Sequence, residues 1–264
     1  MQSLIQGRRK SLGMGEPIPT PFSKFAYNGI HFRRGSLSLV AAAPGGGKSA
    51  LVQNVVQRGN DEGRVSSTLY LSADSDASQM FQRSAAMATG YELSEVERLM
   101  EEGGQEMLEE RVRQASAHVQ YSFDSTHTTE SVMDELTAYA LVHGAYPEVL
   151  CMDNLLNLDA GFDDEWRNLA EASFDLLNIA RDTGAAVIAL HHVGGTHEMG
   201  DKPMGLDALR GKVSKLPALV LTLHRLGEGQ MNVSVVKNRT AKADASGNYG
   251  VSLRADLARM TITD

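Results

Sequence analysis

The sequence predicts an α/β fold: a mostly parallel, twisted sheet flanked by helices, with antiparallel strands at its C-terminal edge. Three observations predict it. Short apolar runs alternate with segments of helical period from residue 36 to about residue 193, the pattern of parallel strands joined by crossover helices. Late apolar runs at 218–225, 232–239 and 251–255 follow one another with no long helix between them, so they close the sheet as hairpins. The composition permits a packed core, with 42% apolar and 22% charged residues over 264 positions. That length fits one or two domains.

The elements follow in order. Residues 1–28 carry GRRK, three prolines at 17, 19 and 21, and few periodic apolar positions. They are expected to form an extended N-terminal arm that docks on a neighbouring subunit or frays. The main domain is expected over 29–264. Within it, 36–43 (SLSLVAAA) reads as a buried strand and 49–59 as a helix with apolar residues at helical spacing. TLYLS at 68–72 is a second strand. Asp76 or Ser78 caps the next helix, which runs to about Thr89. Residues 92–119 are acidic and helical, with a break at Gly103–Gly104; a solvated face explains the acidity. Strands at 119–123, 149–153 and 185–193 alternate with helices at 130–144 and 165–183.

Composition removes several classes of function. A single cysteine, Cys151, excludes an internal disulfide framework and a multi-cysteine metal site. No apolar run approaches the roughly 20 residues needed to cross a bilayer, and no apolar block follows the basic N-terminal residues. A soluble, cytoplasmic protein without membrane contact is expected. A net charge of −8 disfavours a protein that coats polyanions with its whole surface. Nucleic-acid binding would require a local basic surface.

The strongest signal is AAAPGGGKS, residues 41–49. The phosphate-loop pattern is G-x-x-x-x-G-K-[ST]. Gly47, Lys48 and Ser49 match it, and Ala42 replaces the first glycine. A strand precedes this loop and a helix follows. Ala43, Pro44, Gly45, Gly46 and Gly47 supply a backbone curl whose N–H groups can point inward at phosphates. The helix start adds its positive end. Lys48 reaches the β- and γ-phosphates, and Ser49 ligates Mg²⁺. Asp153 ends the apolar strand VLCMD and resembles a Walker B carboxylate, placed to hold the Mg²⁺ through water.

Taken together, these segments resemble the RecA-like ATPase domain of the DnaB-type replicative helicases and their phage relatives, over roughly Gly29 to Arg254. Alanine in place of the first loop glycine is usual in that family. GIHFRRGSLSLVAA is similar to the family's G-L-x-x-G-x-L-x-x-V-A-A segment. The resemblance implies a RecA-like P-loop NTPase fold, ATP and Mg²⁺ as ligands, single-stranded DNA as partner, and a homo-oligomeric, hexameric ring. It also implies site residues. The family's second strand ends in S-L-E-M, whose Glu polarises the attacking water; here Asp74 stands in that place, one methylene shorter. The fifth strand ends in a polar sensor of the γ-phosphate, a position held here by His192 beside His191. Adjacent strand residues face opposite ways, so one histidine is expected near the nucleotide and the other buried or paired. The loop from 194 to 215 corresponds to the family's DNA-touching region and offers Lys202, Arg210, Lys212 and Lys215. VVKNRT is similar to the family's K-x-R strand end, so Lys237 and Arg239 of one subunit would reach the nucleotide of the next. The family's N-terminal helical domain has no counterpart in these residues, which points to a stand-alone motor domain.

Two other functions fit the same residues. A metal-dependent nuclease or a recombination factor could use His191 or His192 with His197 and Glu198. A non-hydrolysing assembly protein, clamped by nucleotide between subunits, would suit the acidic balance and the Asp74 change.

Overall fold

The computed structural model describes residues 15–264 apart from 195, 196, 198 and 212. Chain order begins with a single helical turn, α1 (Ser23–Tyr27), before β1 (Leu37–Ala42). All six β1 residues are buried, as a central strand requires. Helix α2 (Lys48–Arg58) returns the chain to β2 (Thr68–Ser72). Of the two expected caps for α3 (Ala77–Thr89), Asp76 is the one used: its carboxylate accepts the Gln79 N–H.

The acidic stretch does break at the two glycines, into α4 (Leu93–Glu101) and α5 (Gln105–Ser116). Then come β3 (Val119–Ser122), the two-residue β4 (His127–Thr128), α6 (Thr129–His143) and β5 (Val149–Asp153). Short β6 (Leu158–Asp159) pairs with β4, a small second sheet that no sequence period announces. Helix α7 (Glu165–Thr183) leads to β7 (Ala186–His192). After the 194–215 loop come β8 (Leu219–Gly227), β9 (Gln230–Asn238), β10 (Gly250–Asp256) and β11 (Thr261–Thr263).

The main sheet runs β11-β10-β9-β8-β1-β7-β5-β2-β3. From β8 to β3 every pairing is parallel; from β8 through β11 every pairing is antiparallel. Strand parity sends alternate residues to two cores. Val40, Ala42, Tyr70, Cys151, Ile188 and Leu190 pack under α2 and α3. Leu39, Ala41, Leu71, Met152 and Ala189 pack under α6 and α7.

The expected arm is corrected over its second half. Ile18, Phe22 and Phe25 are buried in the first core, and Ile18 N–H donates to the Phe32 carbonyl. Ser23 N–H donates to the Asp264 carboxylate and Lys24 Nζ to the Ser252 carbonyl, which fastens this segment to the C-terminal strands. The prolines hid it: they fix an extended path, but the aromatic residues at 22 and 25 lie one turn apart and drive burial. Residues 1–14 lie outside the described residues. No described helix is long and apolar enough to cross a membrane.

Candidate functional site at the phosphate loop

The loop between β1 and α2 turns tightly: Gly46 N–H donates to the Ala43 carbonyl at 2.9 Å. Gly47 has φ 87°, a left-handed conformation that demands glycine, and a Cβ there would also have to displace the Met231 methyl end, 2.7 Å away. Pro44 and Gly45 lie at the exposed crest, while Ala43 is buried. Lys48 and Ser49 are the first two residues of α2, at its positive end. A cleft of about 300 Å³ opens beside them, lined by Gly45–Ala50, Asp74, Ser75, Gln79, Arg83, Leu257 and Met260.

Strand ends bring the acidic and imidazole groups together behind the loop, and of these Asp74 lines the cleft. Ser72 pairs with Asp153, which sets the ends of β2 and β5 side by side. Parity places Tyr70 and Ser72, with Asp153 and His192, on the α2 face, and Asp74 follows two residues past the end of β2. Asp153 is 1% exposed. Its Oδ2 accepts the Tyr70 hydroxyl at 2.9 Å, and its Oδ1 lies 4.0 Å from Lys48 Nζ. A buried, unpaired carboxylate costs several kcal/mol, and here the phenol and the nearby ammonium are its polar neighbours. Burial and the Asp153 charge push the Tyr70 phenol well above its ordinary value, so it remains a donor. Oδ1 is buried and has no hydrogen-bond partner. That free oxygen, with the Ser49 hydroxyl at the helix start, fits a hard cation such as Mg²⁺ bound through water.

Asp74 Oδ2 accepts from Asn154 Nδ2 at 2.5 Å, and His192 Nε2 lies 3.8 Å from that same Asp74 oxygen. His192 Nε2 is also 3.4 Å from Asn154 Nδ2. Desolvation, then Lys48, holds His192 below the ordinary histidine value, so it is neutral near pH 7. Lys48, Asp153, Asp74 and His192 therefore meet at one place.

His191 faces the other way, as its parity requires. Its Nε2 bonds the Arg210 carbonyl at 2.6 Å. Burial lowers its pKa from 6.5 to about 4, against the opposing pull of the Arg210 carbonyl. The unfolded chain therefore takes up this proton first. Stability should be intact above pH 6.5 and fall as the pH drops from 6.5 towards about 4. Between about pH 7.5 and about pH 5 this site alone should remove about 2 kcal/mol. Urea unfolding of the wild type and His191→Gln at both values checks it; equal losses in the two proteins would place the pH sensitivity elsewhere.

The three described candidate DNA contacts do not share one surface. Lys202 is exposed at the phosphate-loop end, where Gly200 lies against Ala43 and its carbonyl accepts the Arg225 N–H. Arg210 is clasped by Glu165 through two bonds of 2.6 and 2.7 Å, so its charge is already engaged. Lys215 lies beside Lys237 and Arg239, and Lys212 lies outside the described residues. The three-ligand metal site suggested by the histidines is not assembled among the described residues, although Glu198 lies outside them.

Lys237 and Arg239 sit at the far end of the sheet from Lys48. Ala42 pairs with Leu223, whereas Val220 pairs with Lys237 and Arg239 N–H donates to the Ala218 carbonyl. Five residues of strand separate Ala218 from Leu223, roughly 17 Å. Lys237 Nζ donates to the carbonyls of Ser214 and Lys215, while Arg239 makes one longer bond of 3.3 Å to Lys215. Arg239 is thus the freer of the two.

Sequence reasoning missed four groups around the phosphate loop, two of which line the cleft. Asn154 directly follows the acidic strand end and bridges Asp74 and His192. Gln79 and Arg83 are four apart on α3, hence on one face, and both line the cleft. Arg83 also donates to Ser75 Oγ. Arg225 lies on β8, the strand beside β1, and donates to the Gly45 carbonyl at 2.7 Å. The spacing of Gln79 and Arg83 was a usable signal; nothing local marked Arg225.

A central strand, a glycine-rich loop and a helix carrying Lys-Ser, with an acidic strand end two places along a parallel sheet, define a RecA-like P-loop NTPase fold. The chain belongs to the DnaB-like helicase C-terminal domain family, whose model matches residues 17–245. It is 34% identical over 259 residues to the Gene 65 protein of Mycobacterium phage L5, covering 95% of this chain and 94% of that one. A solved DnaB-like replicative helicase, described with its interactions with primase, superposes with a TM-score of 0.79 at 16% identity. That match spans 98% of this chain and 64% of the helicase. An isolated ATPase domain gives the same TM-score at 15% identity, over 99% and 95% of the two chains. A KaiC-like protein from Pyrococcus horikoshii matches at 0.61, with 14% identity and coverage of 94% and 98%.

Proposed function

We propose that this protein is an Mg²⁺-dependent ATPase of the RecA/DnaB helicase type, acting in the cytoplasm on single-stranded DNA in replication or recombination. It works as a ring or filament of identical subunits, with a hexameric ring the favoured form. The observation that carries the reading is the meeting of Lys48, Asp153, Asp74 and His192 beside the phosphate loop, with Lys48 and Asp74 lining its cleft. Membership of the helicase family supports the choice of ATP and DNA.

In this reading the loop N–H groups and Lys48 hold the β- and γ-phosphates. Ser49 and Asp153 would hold Mg²⁺, which would neutralise charge on the phosphate oxygens. Asp74 orients a water and accepts its proton as the water oxygen attacks the γ-phosphorus; the bond to the bridging β–γ oxygen breaks. Neutral His192 contacts the γ-phosphate. Arg239 of a neighbour, with Lys237, stabilises the transferred oxygens. Movement of the 194–215 loop then follows the nucleotide state along the strand.

ATP hydrolysis by purified protein with Mg²⁺, with and without single-stranded DNA, tests this. Stimulation of about tenfold or more by DNA, without DNA shortening, is expected; ten times in rate corresponds to about 1.4 kcal/mol of barrier. Nucleotide-dependent ring formation with negligible hydrolysis would instead make this an assembly clamp. Shortening that survives Lys48→Ala would make it a nuclease.

A further inference from the structure

The two oxygens of Asp153 have different surroundings. Oδ2 is held by the Tyr70 hydroxyl at 2.9 Å. Oδ1 has no hydrogen-bond partner and lies 4.0 Å from Lys48 Nζ, beyond hydrogen-bond reach. The main chain beneath is pinned, because Ala73 N–H donates to the Asp153 carbonyl at 2.8 Å and Ser72 pairs with Asp153. The Asp153 side-chain torsions are therefore the remaining freedom, and Tyr70 is the one side chain among the described residues that hydrogen-bonds this carboxylate. Tyr70 itself is fully buried in the core beneath α2, its ring 5.5 Å from that of Tyr121. A phenylalanine would fill the same space without the hydroxyl.

We propose that Tyr70 is a positioning residue that divides the work of Asp153: its hydroxyl holds Oδ2, so that Oδ1 is left unpaired 4.0 Å from Lys48 Nζ and Lys48 stays available for phosphate. Without that donor, the nearest unfilled partner for the freed carboxylate is Lys48. A rotation of the carboxylate closes the 4.0 Å gap into a direct ion pair. That pair competes with phosphate for the ammonium and turns Oδ1 away from the cation position. The inference rests on the reading of this cleft as a nucleotide site.

The test compares wild type, Tyr70→Phe, Asp153→Asn and the double variant. A fluorescent ADP analogue is titrated in EDTA and again over a range of Mg²⁺, with a thermal melt of each protein. Tyr70→Phe should fold and melt cooperatively. Its affinity in EDTA should fall about tenfold, the lower end of what a hydrogen bond to a charged group is worth. The Mg²⁺ concentration for half-maximal binding should rise. In the Asp153→Asn background, Tyr70→Phe should cost nothing further, since both changes act through one carboxylate. Wild-type affinity in Tyr70→Phe overturns the proposal. So does an equal loss in the Asp153→Asn background, which would mark a packing role. Absence of nucleotide binding by the wild type would overturn the nucleotide-site reading itself, and the positioning role with it.

Discussion

Lys48→Ala is expected to abolish ATP hydrolysis, with a fall of at least ~10³-fold that more nucleotide does not recover. The ammonium is the only side-chain cation within 4.0 Å of Asp153 among the described residues, and it stands at the start of α2 beside the loop. Its removal takes away the charge that meets the β- and γ-oxygens where negative charge develops. It also leaves Asp153 with the Tyr70 hydroxyl alone. Two measurements separate these effects. Steady-state hydrolysis reads the catalytic loss; a thermal melt reads whether the fold persists. Retained hydrolysis in a folded Lys48→Ala protein would remove the phosphate loop from the chemistry.

Arg239→Ala should behave differently: nucleotide affinity within about twofold of wild type, and turnover down by about 10³-fold or more, the range of an arginine supplied in trans. The reason is distance. Arg239 bonds Ala218 at one end of β8, while the phosphate loop follows the strand opposite the other end, so the guanidinium cannot serve its own subunit. Nor is it tied down at home, since its single side-chain bond is 3.3 Å long. Lys237, held by two carbonyls and depressed by burial and then by Arg239, is the weaker candidate for the same task. A mixing experiment gives a sharp version. Lys48→Ala and Arg239→Ala proteins are each inactive, but mixed subunits create interfaces with an intact Lys48 and an intact Arg239, so some activity should return. Full turnover by Arg239→Ala alone would show that the site is complete within one subunit.

Much of the fold was legible because its signals are local. The break at Gly103–Gly104, the Asp76 cap and the run of β1 each depend on neighbours within a few residues. The hairpin edge was legible for the same reason, although β11 and the β4–β6 pair were not: two or three residues carry too little period. Residues 17–27 misled the reading, since burial of Phe22 and Phe25 depends on strands more than 200 positions away.

At the site, the sequence by itself determined the loop, its Lys-Ser, the acidic strand end and the opposite facing of His191 and His192. Glycine torsions, helix starts and strand parity are properties of adjacent residues, so the order of residues suffices for them. Tertiary structure alone decided which side chains are free. Arg210 is engaged by Glu165, His191 by a carbonyl, Asp74 by Asn154, and Asp153 by Tyr70. Each partner stands 19 to 83 positions along the chain from the group it holds. A charge has its chemistry set by whatever folding brings within about 3 Å of it, and no local period records that distance.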